Sequence, residues 1–182
     1  MSNRMLILGW VTLLGFGFIG LALVYFFQPT TLIELWLGQL PIPQQVLAGV
    51  LTGLIGAGVA LILINASFFK EEKQKYHGLL NNWTWTESGI VFISICAGVG
   101  EELLFRAGLQ PIMGLWITSI LFVVIHGYLN PMNWKISIYG IVMIGFIAAL
   151  GYLYQTVGIL AAIIAHTIFD AILLFQLIEK KH

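Results

Sequence analysis

Five stretches of this chain carry no charged residue: 5–33, 35–69, 88–100, 107–134 and 136–169. About 20 apolar residues carry a helix across a hydrocarbon core about 30 Å thick, so a chain built this way folds within a bilayer. Charged residues make up 9% of the 182 positions and apolar ones 59%, with a mean hydropathy of +0.96. A soluble domain carries about 25% charged residues. The runs are continuously apolar, without the in–out alternation of a membrane barrel. The fold class read from the sequence is therefore all-α, a polytopic transmembrane helical bundle. Eight basic residues balance eight acidic ones, which leaves no basic face for nucleic acid.

The runs divide into six expected spans, at 5–27, 45–69, 87–109, 112–127, 135–154 and 157–178. The first is too long for a signal-peptide core and no small-x-small site follows it, so it is kept as a span. Pro29, Pro41, Pro43, Pro111 and Pro131 fall between the spans, where a missing N–H does least harm. Thr84-Trp85-Thr86-Glu87 reads as a capping box opening the third span. Residues 31–40 are too few to cross and fit the interface. Residues 70–75 (KEEKQK) read as a solvated loop, part of a cytoplasmic connection over 70–84. In the second span, Ala48, Thr52, Gly56 and Ala60 recur every fourth residue beside Gly49, Gly53 and Ala57, a pattern that lets helices approach closely. Residues 1–84 form an N-terminal pair of spans, and 85–182 a second unit of four.

Sidedness follows from the basic residues. With six spans, Arg4, the lysines at 70, 73 and 75, Lys135, Lys180 and Lys181 share one side, and the other loops have none. The positive-inside rule puts that side, with both termini, in the cytoplasm. The short chain without further domains points to a prokaryotic plasma membrane. The single Cys96 reads as a small buried apolar residue.

Four charges stand inside expected spans: Glu101, Glu102, Arg106 and Asp170. Two histidines, His126 and His166, join them. Each costs at least about 2.5–3.5 kcal/mol to insert, so each is a functional candidate. At about 100° per residue, Arg106 lies about 40° from Glu102 but about 140° from Glu101. Glu102 and Arg106 thus make an i, i+4 ion pair, and Glu101 points elsewhere with no partner on its own helix. His166 and Asp170 are also four apart on one face. The three acids and one Arg sum to −2, which a divalent cation, two imidazolium ions or bound protons would balance.

A carboxylate, two histidines and a water are the parts of a hydrolase. Glu101 would act as general base with His126, while His166 and Asp170 would stabilise an oxyanion. If a divalent metal such as zinc takes part, Glu101, His126 and His166 are its expected ligands, with water in the fourth position.

Glu101-Glu102-Leu-Leu-Phe-Arg106 resembles the EExxxR motif of the CAAX protease and bacteriocin-processing (CPBP, or Abi) family of intramembrane proteases. Phe122-Val-Val-Ile-His126 resembles its FxxxH motif. His166-Thr-Ile-Phe-Asp170 resembles its third motif, a His followed four residues later by Asn or Asp. Order and spacing agree over about 85–178. The resemblance implies an intramembrane endopeptidase acting on a peptide or protein in or at the bilayer, with Glu101 and His126 activating water and His166 and position 170 serving the oxyanion. It implies supporting roles for Glu102 and Arg106. The family's substrates are prenylated C-termini in eukaryotes and signal or bacteriocin-like peptides in bacteria. Better-known members carry Asn where this chain has Asp170, and an ionised Asp accepts hydrogen bonds without donating them. Members with immunity roles supply the alternative, a non-catalytic membrane binding protein.

One expectation needs reconciling. Measured from residue 87, Glu101 lies about 21 Å along its helix, while His126 lies about as far from the opposite face. In a core about 30 Å thick their depths would differ by about 10 Å. Tilt, a late start to the third span or a re-entrant fourth one would close the gap.

Overall fold

The computed structural model describes residues 3–80 and 83–178, apart from the Leu79 side chain. Lys180 and Lys181, which entered the topology reading, lie outside the described residues. Among the described residues there are eight helices and no strand. They are α1 (Asn3–Phe27), α2 (Leu32–Leu37), α3 (Ile42–Asn65), α4 (Lys70–Leu80), α5 (Glu87–Met113), α6 (Leu115–Ile125), α7 (Trp134–Thr156) and α8 (Ile159–Leu177). Five of these, α1, α3, α5, α7 and α8, are long and apolar enough to cross a membrane. The chain is an integral membrane protein with a helical bundle fold.

The six expected spans need one correction. The segment expected over 112–127 is α6, only 11 residues long, which covers about 16 Å of a core about 30 Å thick. Its end is written in the sequence that follows: Gly127 adopts φ +75, a conformation that suits glycine, and the polar run through Asn130-Pro131 completes the return. That return still brings the chain across. Asn133 Nδ2 reaches Glu72 Oε1 at 3.4 Å, and Lys135 Nζ lies 3.3 Å from Glu71 Oε2. At the opposite end the N–H groups of Gln39 and Leu40 donate to the Val157 carbonyl. The loops expected to alternate between two faces do so.

Three local expectations also change. Residues 70–75 begin the helix α4, because Lys, Glu and Gln are strong helix formers and Lys73, Glu71 and Glu72 are anchored to Asn65, Lys135 and Asn133. The cap of α5 is Thr86, whose hydroxyl accepts from Gly89 N; the reciprocal capping box occurs instead at Thr31 and Glu34 of α2. Pro111 lies within α5 rather than between helices. Without an N–H it cannot serve the Ala107 carbonyl four residues back, and Gln28 Nε2 donates to that oxygen at 2.5 Å.

Helix α8 lies centrally. The small residues of α3 let it lie against α8, where a Cβ on Gly49 or Gly53 would stand 2.7 or 2.6 Å from the carbonyls of Ala161 and Ala165. The other face of α8 meets α5. The main core combines α3, α5, α6, α7 and α8 through residues such as Ala60, Phe105, Phe122, Met143 and Phe169.

Candidate active site

Helix α5 changes pitch where the acids stand. Its regular α-helical part ends at Glu102, and Leu103–Leu109 form π-helical turns, a distortion common at functional sites. Glu102 and Arg106 are fully buried and paired, Nε to Oε2, at 3.0 Å, the i, i+4 pair expected from spacing. The Arg106 guanidinium also faces the Phe122 ring, 5.6 Å from its centroid.

Close approach of α8 completes the arrangement. A Cβ on Gly98 would lie 2.2 Å from Thr167 Oγ1 and 3.0 Å from the Ile163 carbonyl, so only glycine lets α8 come this near. His166 then reaches across and donates Nδ1–H to Glu102 Oε1 at 2.8 Å. With Nδ1 so occupied, its Nε2 turns toward Asp170 Oδ2 at 3.5 Å and Glu101 Oε2 at 3.9 Å. An imidazolium would have an N–H for each side. Asp170 therefore stands in front of His166 and Glu102 behind it, and it is Glu102 that holds the imidazole at Nδ1.

The Phe-x-x-x-His spacing has a direct physical meaning. His126 follows the last residue of α6, and its Nδ1 donates to the Phe122 carbonyl at 2.7 Å, while the two rings stack 4.2 Å apart. That bond fixes the ring and presents Nε2 to Glu101 Oε2 at 3.5 Å. Glu101 Oε2 is buried and has no hydrogen-bond partner among the described residues.

The expected depth mismatch disappears because Glu101 and His126 are best measured from the turn they share. Gly114 joins α5 to α6; Glu101 lies thirteen residues before it and His126 twelve after, so both stand about 18 Å from the turn. Helix α5, at 27 residues, is long enough to begin outside the core. The half-length α6 thus delivers His126 to the level of Glu101.

These groups face one cavity of about 110 Å³, lined by Glu101, Phe122, His126, His166 and Asp170 together with Tyr128, Tyr139 and apolar side chains. The structure brings together all six residues singled out in the sequence, with Glu102 and Arg106 behind the cavity wall. Sequence reasoning missed the two tyrosines. Tyr128 lies two residues beyond the His motif and Tyr139 one turn into α7, and neither position carries a charge that would mark it in an apolar run.

Glu101, His126 and His166, the ligand set expected for a divalent ion, converge here. Among the described residues, however, no group of three or more His, Cys, Asp or Glu side chains is arranged to hold a metal ion.

A helical membrane bundle here brings carboxylates and imidazoles together in one buried cavity, an arrangement found at functional sites within membranes. Comparison with known proteins is more specific. The family described as Type II CAAX prenyl endopeptidase Rce1-like matches residues 83–172. The uncharacterized protein YpbD of Bacillus subtilis (strain 168) is 34% identical over 90 residues, 48% of this chain and 45% of that protein. The match thus spans less than half of the relative's length. No solved structure matches. Residues 83–172, which carry all three motifs, match this family model, consistent with the CAAX protease and bacteriocin-processing family.

Proposed function

We propose that this protein is an intramembrane endopeptidase that hydrolyses a peptide bond of a membrane-associated protein or peptide with a water activated by Glu101 and His126. The observation that carries the reading is the unpartnered Glu101 Oε2, buried between two imidazoles at 3.5 and 3.9 Å. A carboxylate in apolar surroundings needs compensation, and here the compensating groups are proton carriers.

In this mechanism Glu101 takes a proton from water as the hydroxide oxygen attacks the scissile carbonyl. His126, its Nδ1 held by the Phe122 carbonyl, keeps Nε2 toward the water. The Glu101 carboxyl then passes its proton to the leaving amine as the C–N bond breaks. His166, held at Nδ1 by Glu102, offers Nε2–H to the oxyanion. The end bearing Arg4, the lysines at 70, 73 and 75, and Lys135 faces the cytoplasm of a prokaryotic cell.

The test is cleavage of a quenched peptide library by purified protein in proteoliposomes. Glu101→Gln and His126→Ala are each expected to lower the rate by about 10²–10⁴-fold while the protein inserts and unfolds as wild type does. Cleavage persisting in both variants would overturn the reading, and a protective phenotype surviving Glu101→Gln in cells would assign the alternative, a binding or immunity role.

A further inference from the structure

We infer that the hydroxyl of Tyr128 is the oxyanion donor that Asp170 does not supply, with Tyr139 as its positioning residue. The inference rests on the hydrolytic reading above and adds a residue to it.

The cavity offers few donors. Of its lining side chains, Phe122, Val123, Met143, Phe146, Ile147 and Phe169 are apolar, and Glu101 and Asp170 as carboxylates only accept. His126 is engaged at Nδ1 by the Phe122 carbonyl and faces the attacking water with Nε2. What remains is His166 Nε2–H and the phenols of Tyr128 and Tyr139. A tetrahedral intermediate places a full charge on one oxygen, and oxyanion sites commonly use more than one donor.

Tyr128 is better placed than Tyr139. It follows His126 by two residues, across the Gly127 turn, and its ring lies almost parallel to the imidazole, 12° apart in plane with centroids at 6.2 Å. Tyr128 is thus the phenol beside His126, whereas Tyr139 reaches the same cavity from α7. Tyr139 meets Tyr128 edge-on, centroids 5.4 Å apart, and is itself backed by Phe69. Both tyrosines line the cavity, so a scissile carbonyl bound there meets the Tyr128 donor. During attack, the carbonyl π bond becomes the oxyanion lone pair and Tyr128 O–H donates to it. The proton stays on the phenol, and the bond lapses when the carbonyl re-forms.

The test uses full-length protein in proteoliposomes and a peptide selected from the library above. Tyr128→Phe, which removes one oxygen and keeps the ring, is expected to lower kcat about 10²–10³-fold, the loss seen when one oxyanion donor is deleted. KM and thermal unfolding should stay at the wild-type values. Tyr139→Phe should have a smaller effect. Asp170→Asn places an amide donor in the same cavity, and in the Tyr128→Phe background it is expected to recover part of the lost kcat, which a merely structural tyrosine would not allow. An active wild type with an unimpaired Tyr128→Phe variant would overturn this inference alone. A wild type that cleaves nothing, behaving like Glu101→Gln, would overturn it together with the proposed function.

Discussion

Glu102 Oε1 accepts a 2.8 Å hydrogen bond from Nδ1 of His166, 64 residues further along the chain, while its other oxygen holds Nε of Arg106 at 3.0 Å. This one buried carboxylate ties two helices and decides which nitrogen of His166 faces the cavity. Removing one partner from a buried pair costs about 3–5 kcal/mol, because the other charge is left uncompensated. Glu102→Ala is therefore expected to lower stability by about that much, measured by thermal unfolding in detergent. Glu102→Gln preserves the shape. It should unfold closer to wild type than Glu102→Ala does yet lose cleavage, since an amide has one acceptor oxygen for the two donors, His166 Nδ1–H and Arg106 Nε–H, and no charge to favour the imidazolium.

Gly98 sets how near α8 lies to α5. A methyl group there would stand 2.2 Å from Thr167 Oγ1, one residue from His166. Gly98→Ala is expected to destabilise the bundle by about 1–3 kcal/mol, as overpacking does, and to lower activity by moving His166 away from Glu102. Thr167→Ala removes the closest of the clashing atoms. The double variant should recover part of both losses, measurable by unfolding and cleavage together.

Much of this arrangement is legible in the sequence. Charges in an apolar run cannot be incidental, so Glu101, Glu102, Arg106 and Asp170 mark themselves, and helical spacing alone separates Glu101 from the Glu102–Arg106 pair. The length of α6 is not legible from hydropathy, because the apolar run continues from α5 into it and its start is set by the break at Gly114, φ +83. Helix α5 running through Pro111 was equally hidden: its compensation comes from Gln28, 79 residues away from Ala107. Partners supplied by distant segments leave no local signature, and the hydrogen bond between His166 and Glu102 escaped for the same reason.

The Gln28 contact can be tested by a cycle. Gln28→Leu leaves the Ala107 carbonyl unpaired, which should cost about 1–3 kcal/mol. Pro111→Ala restores a backbone N–H at the position that can serve this carbonyl, so Gln28→Leu in the Pro111→Ala background should cost markedly less. Equal costs in both backgrounds would show that the bond contributes nothing.

Membrane orientation can be read with cysteines, because the single native Cys96 is buried. In a Cys96→Ala background, Gln39→Cys and Glu71→Cys probe the two ends of the bundle. An impermeant maleimide is expected to label position 39 on intact cells and position 71 only after permeabilisation, as the positive-inside rule requires. The opposite pattern would invert the orientation, and labelling of both from one side would contradict the path of the chain through α6.

Metal dependence separates two ways of activating the same water. A metal would hold Glu101, His126 and His166 as ligands and lower the water's pKa directly, whereas Glu101 acting as base needs only a proton acceptor beside the water. The imidazoles are already held at Nδ1 by Phe122 and Glu102, as metal-bound histidines also are by a carbonyl or carboxylate behind the ring, so ring orientation does not distinguish the two. The distances do not separate them either: Glu101 Oε2 is 3.5 Å from one Nε2 and 3.9 Å from the other, near the donor spacing of about 3.4 Å that tetrahedral zinc implies, although among the described residues no three such groups are arranged to hold a metal ion. Cleavage is expected to survive a strong zinc chelator at full rate. Loss of activity on chelation, with recovery on adding zinc and not magnesium, would assign the water to a metal and recast Glu101 as its ligand.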